Sequence, residues 1–214
     1  MALIRAVSQP LRARPTTTAD AAEIRRICLR TGDAGRDATP LHADPDLLGL
    51  VWAQPYLELE PAHAYVAVDD DGVLLGYVLG TPDSRAFESR AESAYWPGVR
   101  LRYPAGPAPG RTPADAEAVA LVHRPPTAPE GLLADHPGHL HVDLLPAAQG
   151  RGGGRLLVTT VLDSLAAAGC AGVHVGVDPR NEPALGFYRR LGFVDLAPVP
   201  GVVHLGVRLG PAVG

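Results

Sequence analysis

The alternation of apolar and polar positions divides the first 80 residues into two helices and three strands. In order, it predicts a strand over 11–15, helices over 18–31 and 46–51, and strands over 62–68 and 73–79. Thr18 or Asp20 would cap the first helix, and Cys28 lies on its apolar face. The acidic run at 69–72 predicts a hairpin turn rather than a metal loop, because consecutive aspartate side chains in a tight turn diverge.

Residues 81–137 are proline-rich and only weakly periodic, and a loop of this length without structure of its own would be unusual in a compact domain. Thr112 followed by Pro113 predicts a helix that runs to about His123. We therefore expect an ordered insert or a substrate lid. Three aromatic residues could either contact a substrate or anchor the insert on the body of the domain: Tyr95, Trp96 and Tyr103.

The strongest pattern in the chain lies over 140–168. An apolar run long enough for one buried strand ends at Pro146, because proline cannot donate to a sheet. Four glycines fall within the five residues 150–154, and apolar residues at helical spacing follow from Leu157 onward. Gly169 predicts the end of that helix. The unit is therefore a strand, a glycine-rich turn and a helix.

The last part of the chain completes an α/β pattern. It predicts a strand over 171–177, a helix over 181–191, and strands over 194–199 and 202–209. The whole order predicts a single domain over 1–214, of the α/β (α+β) class. We expect a mixed central sheet of about six to seven strands with helices on both faces, and a long insert, about 81–137, between the third and fourth strands.

The strand, turn and helix unit is suited to bind a pyrophosphate. The first N–H groups of a helix lack partners within the helix, and the helix dipole adds about half a positive charge there. Glycines let these amides approach a phosphate closely, and Arg151 and Arg155 add formal positive charge. The alternative is a glycine-rich linker, although flexible linkers do not run directly into an amphipathic helix.

Two classes of protein use such a unit. A dinucleotide-binding fold needs G-x-G-x-x-G after its first strand, and Gly150 and Gly152 fit, but Arg155 stands in place of the third glycine. Asp178 ends the next apolar strand, yet only 36 residues follow it, too few for the remaining βαβ units. A dehydrogenase is therefore the weaker interpretation.

The second class fits both parts of the pattern. Gln149-x-x-Gly152-x-Gly154 resembles (Q/R)-x-x-G-x-(G/A), the coenzyme A loop of the GNAT acetyltransferases. The segment 181–193, NEPALGFYRRLGF, resembles the N-x-x-A-x-x-(F/L)-Y-x-x-x-G-F segment of the same superfamily. Both motifs occur in the family's order, with one helix and one strand between them, which makes the resemblance specific.

From about Ile27 onward, the chain also resembles the acetyltransferase-like domain at the C-terminus of animal O-GlcNAcases. The resemblance follows four segments in order: 76–81, 95–97, 112–123 and 129–145. In the animal domain the glycine-rich coenzyme loop is degenerate, whereas here it is intact. This difference favours a chain that binds acetyl-CoA.

The GNAT resemblance implies where acetyl-CoA would bind. In that family, the fourth and fifth strands splay and the pantetheine arm lies between them. The backbone from Val142 to Leu144 matches this position, and a backbone N–H at or near Leu144 would polarise the thioester carbonyl. The residues that the resemblance assigns to the cofactor are Val142, Leu144, Gln149, Gly150, Arg151, Gly152, Gly153, Gly154, Arg155, Asn181, Phe187 and Tyr188.

Transfer to an amine needs a base, because only about 0.04% of a lysine-like amine is neutral at pH 7. Asp143, directly or through a water, is the first candidate, and His141 is the second. His139 shares their strand face. The alternatives are a positioning carboxylate for Asp143 and a structural histidine for His141. The family motif makes Tyr188 the expected general acid, with a core tyrosine as its alternative.

Composition excludes some partners. The net charge of −4 and the pI of about 6.0 argue against a nucleic-acid-binding protein. No run approaches the roughly 18 apolar residues of a membrane span. Arg5 and Ser8 interrupt the apolar core that a signal peptide would need. Cys28 and Cys170 are expected to be buried free thiols rather than a disulfide. We therefore expect a cytoplasmic, bacterial protein with no metal.

Two functional hypotheses of different classes follow. The first is an enzyme that moves the acetyl group of acetyl-CoA directly to an amine of a small molecule or a protein. The second is a module that binds acetyl-CoA without catalysis and serves interaction. An exposed edge strand or the insert would support a homodimer.

Overall fold

The computed structural model describes residues 10–196 and 199–210. Its strands are β1 (Arg12–Pro15), β2 (Ala64–Val68), β3 (Leu74–Thr81), β4 (Gly138–Leu144), β5 (Gly172–Val177), β6 (Val194–Asp195) and β7 (Val203–Arg208). They form one sheet in the order β1-β2-β3-β4-β5-β7-β6. Neighbouring strands are antiparallel except β4 and β5, which are parallel. The predicted mixed sheet is confirmed.

Helices pack on both faces of this sheet. The α-helices are α1 (Ala21–Thr31), α2 (Leu47–Trp52), α3 (Gln54–Leu59), α4 (Ser84–Arg90), α5 (Trp96–Arg102), α6 (Pro113–His123), α7 (Glu130–Leu133), α8 (Gly153–Ala167) and α9 (Glu182–Arg190). One apolar core joins α1, α2, α5 and α6 to one face of the sheet. A second core joins α8 and α9 to the opposite face.

Residues between β3 and β4 form an ordered insert. The helix predicted after Thr112 is confirmed, and the Thr112 hydroxyl accepts a hydrogen bond from the Asp115 N–H at 3.0 Å. Helices α4 and α5 were not predicted, and a π-helical turn, Ala91–Tyr95, joins them. The insert is therefore mostly helical, and its weak apolar periodicity reflects short helices rather than loop.

Several predicted boundaries move in the structure. The first helix is preceded by a 3-10 turn over Thr18–Asp20, and Thr17 rather than Thr18 begins it with a capping box. Helix α3, which was not predicted, follows α2 almost at once, with Pro55 in its first turn. The central helix α8 starts at Gly153, inside the glycine run and earlier than its apolar residues indicated. Gly169 follows that helix with a φ of 83°, as a helix-ending glycine requires.

The remaining predictions concern the chain termini, turns and thiols. The 69–72 run is a hairpin turn in which the Asp69 side chain accepts from the Asp71 and Val73 N–H groups. The strand predicted over 194–199 is shorter, and residues 197–198 lie outside the described part. The signal-peptide prediction concerns a segment of which residues 1–9 are not described either. Cys28 and Cys170 are buried free thiols, as expected.

In the described ranges, none of the helices combines the length and apolar character needed to cross a lipid bilayer.

Candidate active site

Strands β4 and β5 pair only where they begin. Their parallel register sets Gly138 beside Val173 and His139 beside His174, and it extends no further within the described strands. Beyond these residues each strand keeps only its outer neighbour, β3 for β4 and β7 for β5. The sheet therefore opens into a gap between β4 and β5, as the family resemblance implied.

Backbone groups of Val142 and Leu144 face this gap. The Leu145 N–H donates to the Leu75 carbonyl at 2.9 Å, on the β3 side. Because backbone groups alternate in an antiparallel ladder, odd-numbered residues of β4 bond to β3 and even-numbered residues point the other way. Two predicted cofactor residues thus direct main-chain polar groups into the gap.

The opposite wall of the gap is built in the same way. The Leu209 N–H donates to the Ala171 carbonyl at 2.8 Å, which directs the odd-numbered residues of β5 toward β7. By alternation the backbone of Gly176 faces the gap. Backbone N–H and C=O groups need partners. An extended ligand arm between the strands would supply partners to both walls.

The turn after β4 has two glycines with left-handed backbone. Gly150 has a φ of 71° and Gly152, which precedes α8, has a φ of 79°. A side chain at either position would meet open space, so the requirement is conformational and not steric. The turn is tied to the end of β4 by the Gln149 amide, which lies 3.4 Å from the Leu144 carbonyl.

The next two glycines let α8 approach its neighbours. A Cβ on Gly153 would lie 2.7 Å from Leu11 Cδ1, and a Cβ on Gly154 would lie 3.0 Å from Phe187 Cζ. The first α-helical hydrogen bond joins the Leu156 N–H to the Gly152 carbonyl. The amides before Leu156 therefore lie at the helix mouth, beside the open end of the gap.

A polar cluster lies on the α1 side of β4, next to the gap between β4 and β5. The Tyr77 hydroxyl donates to Asp143 Oδ2 at 2.5 Å, and His141 Nε2 lies 3.1 Å from that oxygen and from the Tyr77 hydroxyl. Cys28 on α1 completes the group, with its sulfur within 4.8 Å of the His141 and Asp143 ligand atoms. Trp52 stacks over the His141 ring, with 6.4 Å between centroids.

The charges in this cluster are set by the pair of His141 and Asp143. Burial alone would lower the pKa of His141, but the Asp143 carboxylate overrides burial and raises it to about 10. Burial opposes ionisation of Asp143, yet the His141 charge and the hydrogen bonds from His141 and Tyr77 keep its pKa below the ordinary value. At neutral pH the cluster therefore holds an imidazolium and a carboxylate.

The His139 side chain lies on the same strand face as His141 and Asp143, but its hydrogen-bond partners lie outside their cluster. Its Nε2 lies 2.6 Å from the Tyr56 hydroxyl and its Nδ1 lies 2.7 Å from the Ser84 hydroxyl. Burial, with the neighbouring His174 and His141, lowers the pKa of His139 to about 3. His139 is therefore a neutral structural residue with both ring nitrogens engaged.

Tyr188 approaches the gap from the other face. It is 6% exposed and packs against Phe187 and Phe193. Burial, followed by the charge of Asp143, raises its pKa above that of an ordinary phenol. Its hydroxyl makes no hydrogen bond to any residue in the described part of the chain, which leaves it able to donate to a ligand.

Asn181 stands at the N-cap of α9, the helix that follows β5. Its Oδ1 accepts a 3.2 Å hydrogen bond from the Ala184 N–H and so caps α9. Its Nδ2 lies beside Gly35, where a Cβ would be 3.1 Å away. The amide nitrogen of Asn181 is left to donate to a cofactor.

The insert's predicted substrate residues lie in the core. Tyr95, Trp96 and Tyr103 are 5%, 6% and 8% exposed. The Tyr95 hydroxyl donates to the Leu50 carbonyl at 2.6 Å, and the Tyr103 hydroxyl donates to Asp44 at 2.7 Å. These contacts favour the anchoring alternative over substrate contact.

Sequence reasoning missed three members of the cluster: Cys28, Tyr77 and Trp52. Tyr77 stands in the strand LLGYVLGT, which is apolar except for its last residue, so Tyr77 could not be told from a core residue. Only the β3–β4 register, which sets it opposite Asp143, gives it a role. Cys28 had no metal-ligand spacing along the chain, and its partners come from another element.

A separate cavity lies away from this gap. It measures about 600 Å³ and is lined by residues 105–108, 111–113 and part of α6, all within the insert. None of the predicted cofactor or catalytic residues lines it. The gap between β4 and β5 is therefore the better candidate for the reaction site.

Comparison with known proteins supports the resemblance drawn from the motifs. The acetyltransferase (GNAT) family pattern matches residues 117–193, from α6 through the glycine turn to the end of the second motif. The rat protein O-GlcNAcase is 28% identical over 199 residues, which are 92% of this chain but 21% of that protein. The chain thus spans about a fifth of that relative's length.

Solved structures share the fold. SsHAT is 42% identical, with a TM-score of 0.84 over 93% of this chain and 98% of that one. The Salmonella typhimurium protein yncA, a putative acetyltransferase solved with acetyl-CoA, has a TM-score of 0.55 and 16% identity over 96% and 98% of the two chains. At that identity the second match shows the fold alone. The predicted fold class and family resemblance are confirmed.

Proposed function

Because this chain belongs to the GNAT acetyltransferase family, we propose that it transfers an acetyl group from acetyl-CoA directly to an amine. One observation carries the proposal. Strands β4 and β5 stop pairing after His139 and His174, and the resulting gap has the N-terminus of α8 beside the end of β4 and the cluster of Tyr77, His141 and Asp143 on its wall.

Acetyl-CoA would bind along the gap. The pantetheine arm would take the backbone groups of Val142, Leu144 and Gly176 in strand-like hydrogen bonds. The pyrophosphate would lie at the mouth of α8, on the amides of the 150–155 turn. The yncA structure, which shares the fold, was solved with acetyl-CoA, and this supports acetyl-CoA as the ligand.

The thioester carbonyl would then lie beside the end of β4. A backbone N–H of Val142 or Leu144 would donate to the carbonyl oxygen and stabilise the negative charge that develops on it. The amine nitrogen attacks the carbonyl carbon from the α1 side, where Asp143 lies. Collapse of the tetrahedral intermediate breaks the C–S bond and releases the coenzyme thiolate.

We assign the base to Asp143 rather than to His141. His141 has a raised pKa and is protonated at neutral pH, so it cannot take a proton. Asp143 is ionised, and Tyr77 and His141 both bond to its Oδ2. Its Oδ1 would accept the proton that the attacking amine loses, directly or through a water. Tyr77 and His141 would position that carboxylate.

Tyr188 would act as the general acid that protonates the leaving coenzyme thiolate. Its raised pKa means that the phenol keeps its proton across the physiological range. A protonated hydroxyl can donate to the sulfur as the C–S bond breaks, and solvent can then restore the proton. Acid and base would therefore act from opposite faces of the sheet, with the acetyl group between them.

The experiment measures free-thiol release from acetyl-CoA with a panel of amines, and mass spectrometry identifies the acetylated amine. Tyr188→Phe and Asp143→Asn should each lower kcat by about 10² to 10⁴, the usual share of a general acid or base. Asp163→Asn, an exposed residue of α8, is the matched control and should leave kcat unchanged.

Two results would contradict the proposal. Binding of acetyl-CoA without turnover on any amine, and with Tyr188→Phe unaltered, would make the chain a non-catalytic binding module. Failure to bind acetyl-CoA in calorimetry would remove both the enzyme and the module.

A further inference from the structure

Three classical metal ligands converge beside the gap. Cys28 comes from α1, and His141 and Asp143 come from β4. One ligand atom of each, a sulfur, a ring nitrogen and a carboxylate oxygen, lies within 4.8 Å of the other two. His141 Nε2 and Asp143 Oδ2 are already 3.1 Å apart.

These separations suit a small tetrahedral cation. Zinc bonds of about 2.0 to 2.3 Å place the ligand atoms about 3.3 to 3.7 Å from one another. The histidine and aspartate atoms, 3.1 Å apart, are slightly closer than that range, and the cysteine sulfur lies within 4.8 Å of both. A thiolate, an imidazole and a carboxylate together are a donor set that favours Zn²⁺ over Mg²⁺ or Ca²⁺.

The surroundings provide both access and support. The side chains of His141 and Asp143 are 30% and 18% exposed, so an ion can enter from the gap, whereas Cys28 is 2% exposed and forms the floor. Tyr77 donates to the aspartate, as an outer-shell partner of a metal ligand does. Trp52 stacks on the histidine and fixes its ring plane.

We propose that Cys28, His141 and Asp143 form a Zn²⁺ site whose fourth position opens to the gap. Binding releases the thiol proton of Cys28 and the imidazolium proton of His141 to solvent, because both ligands must be deprotonated. The resulting site is electrically neutral: a divalent cation, a thiolate, a carboxylate and a neutral imidazole. The ion is a regulatory ligand and not a cofactor of acetyl transfer.

If the proposed function also holds, zinc at this site should inhibit acetyl transfer. A zinc ion on Asp143 removes the carboxylate from its role as base and occupies the space on the α1 side from which the amine attacks. Acetyl transfer should therefore stop when the site is filled and recover when a chelator removes the metal. This consequence rests on the proposed function, whereas the site itself does not.

The site is tested by metal binding without any turnover assay. Purified protein is titrated with Zn²⁺ against a chromophoric chelator, and with Co²⁺ under reducing conditions. We expect one tight site per chain and, with Co²⁺, a thiolate-to-cobalt charge-transfer band together with the visible bands of tetrahedral Co²⁺.

Variants then locate the ion. Cys28→Ser should weaken zinc binding by more than the roughly 10- to 100-fold that loss of an outer-shell partner causes. Cys28→Ser should also abolish the thiolate band. Cys170→Ser removes the other buried thiol, which lies near Gly172, and should change neither result. Melting curves confirm that both variants are folded.

Absence of the thiolate band in the wild-type protein would overturn the proposal, and so would zinc binding that Cys28→Ser leaves intact. The second result would mean a surface site. Failure of the proposed function looks different: zinc and cobalt would bind as described, but no amine would be acetylated with or without a chelator.

Discussion

Tyr77 and Asp143 stand opposite each other on β3 and β4, and the phenol donates a 2.5 Å hydrogen bond to the carboxylate. Tyr77 is fully buried, whereas Asp143 lies at the edge of the gap. The bond therefore links the rigid centre of the sheet to the group that we propose as base. It holds the carboxylate ionised and in one orientation.

Removal of that hydroxyl should affect both stability and catalysis. Tyr77→Phe keeps the ring but removes one of the two hydrogen bonds to the charged Asp143 carboxylate, the other coming from His141. We expect a cost of about 1.5 to 3 kcal/mol in the free energy of unfolding. We expect kcat to fall by roughly tenfold, a part of what a base contributes. Urea unfolding and thiol release measure the two effects.

Tyr103→Phe is the matched control for this prediction. Tyr103 of the insert also donates to an aspartate, at 2.7 Å, but this partner is Asp44, which precedes α2. Its loss should lower stability by a similar amount and leave kcat unchanged. Equal losses of kcat in the two variants would show that the effect comes from stability and not from the position of Asp143.

The fold was largely readable from the sequence because its signals are local. A strand that stops at Pro146, a glycine run and a helix with one apolar stripe are all set by neighbouring residues. The insert was harder to predict because α4 and α5 are short and one of them begins next to Pro97. Helix α5 is stabilised by packing on α6, and α4 by the contacts of Phe87 with Tyr56 and His139, rather than by a periodic pattern of their own.

The site could be predicted only in part, because only some of its residues lie in local motifs. The glycine turn and Tyr188 lie within contiguous motifs, so their spacing identifies them. Cys28, Tyr77 and Asp143 are brought together by strand register and by the position of α1 over the sheet. Contacts between residues this far apart along the chain depend on the tertiary fold, and no local pattern encodes them.

The aromatic residues of the insert should act on stability alone. Tyr95→Phe removes the hydrogen bond to the Leu50 carbonyl and should lower the free energy of unfolding by about 1 kcal/mol. The KM for an amine acceptor should stay the same, because the hydroxyl points into the core. A severalfold rise in KM with unchanged stability would instead return Tyr95 to the substrate site.

His139 should make the protein sensitive to acid. Its folded pKa is about 3, below the ordinary value near 6.5, so the folded state binds this proton later than the unfolded state does as the pH falls. Its contribution to stability is therefore complete above about pH 6.5 and is lost progressively between that pH and about 3. One proton corresponds to about 1.4 kcal/mol per pH unit over the window.

The variant His139→Gln tests the direction of this dependence of stability on pH. Unfolding free energies measured from pH 7 to pH 4 should fall less steeply in the variant, by up to about 1.4 kcal/mol per pH unit. The absolute stability of the variant is lower because the bonds to Tyr56 and Ser84 change, so the slope and not the value is compared. Parallel slopes would mean that His139 does not carry the linked proton.

The two ends of α8 offer a test of where the coenzyme's diphosphate binds. Gly152 precedes the helix and Gly169 follows it, with φ values of 79° and 83°, and a Cβ at either position meets nothing within 4 Å. Replacement by alanine should therefore strain the backbone equally, at about 1 to 2 kcal/mol in each case. Only the first glycine shapes the amides at the positive end of the helix dipole. We expect Gly152→Ala to weaken acetyl-CoA binding in calorimetry by at least about tenfold and Gly169→Ala to leave it unchanged, while both lower the melting temperature alike. Equal affinities in the two variants would place the diphosphate away from the mouth of α8.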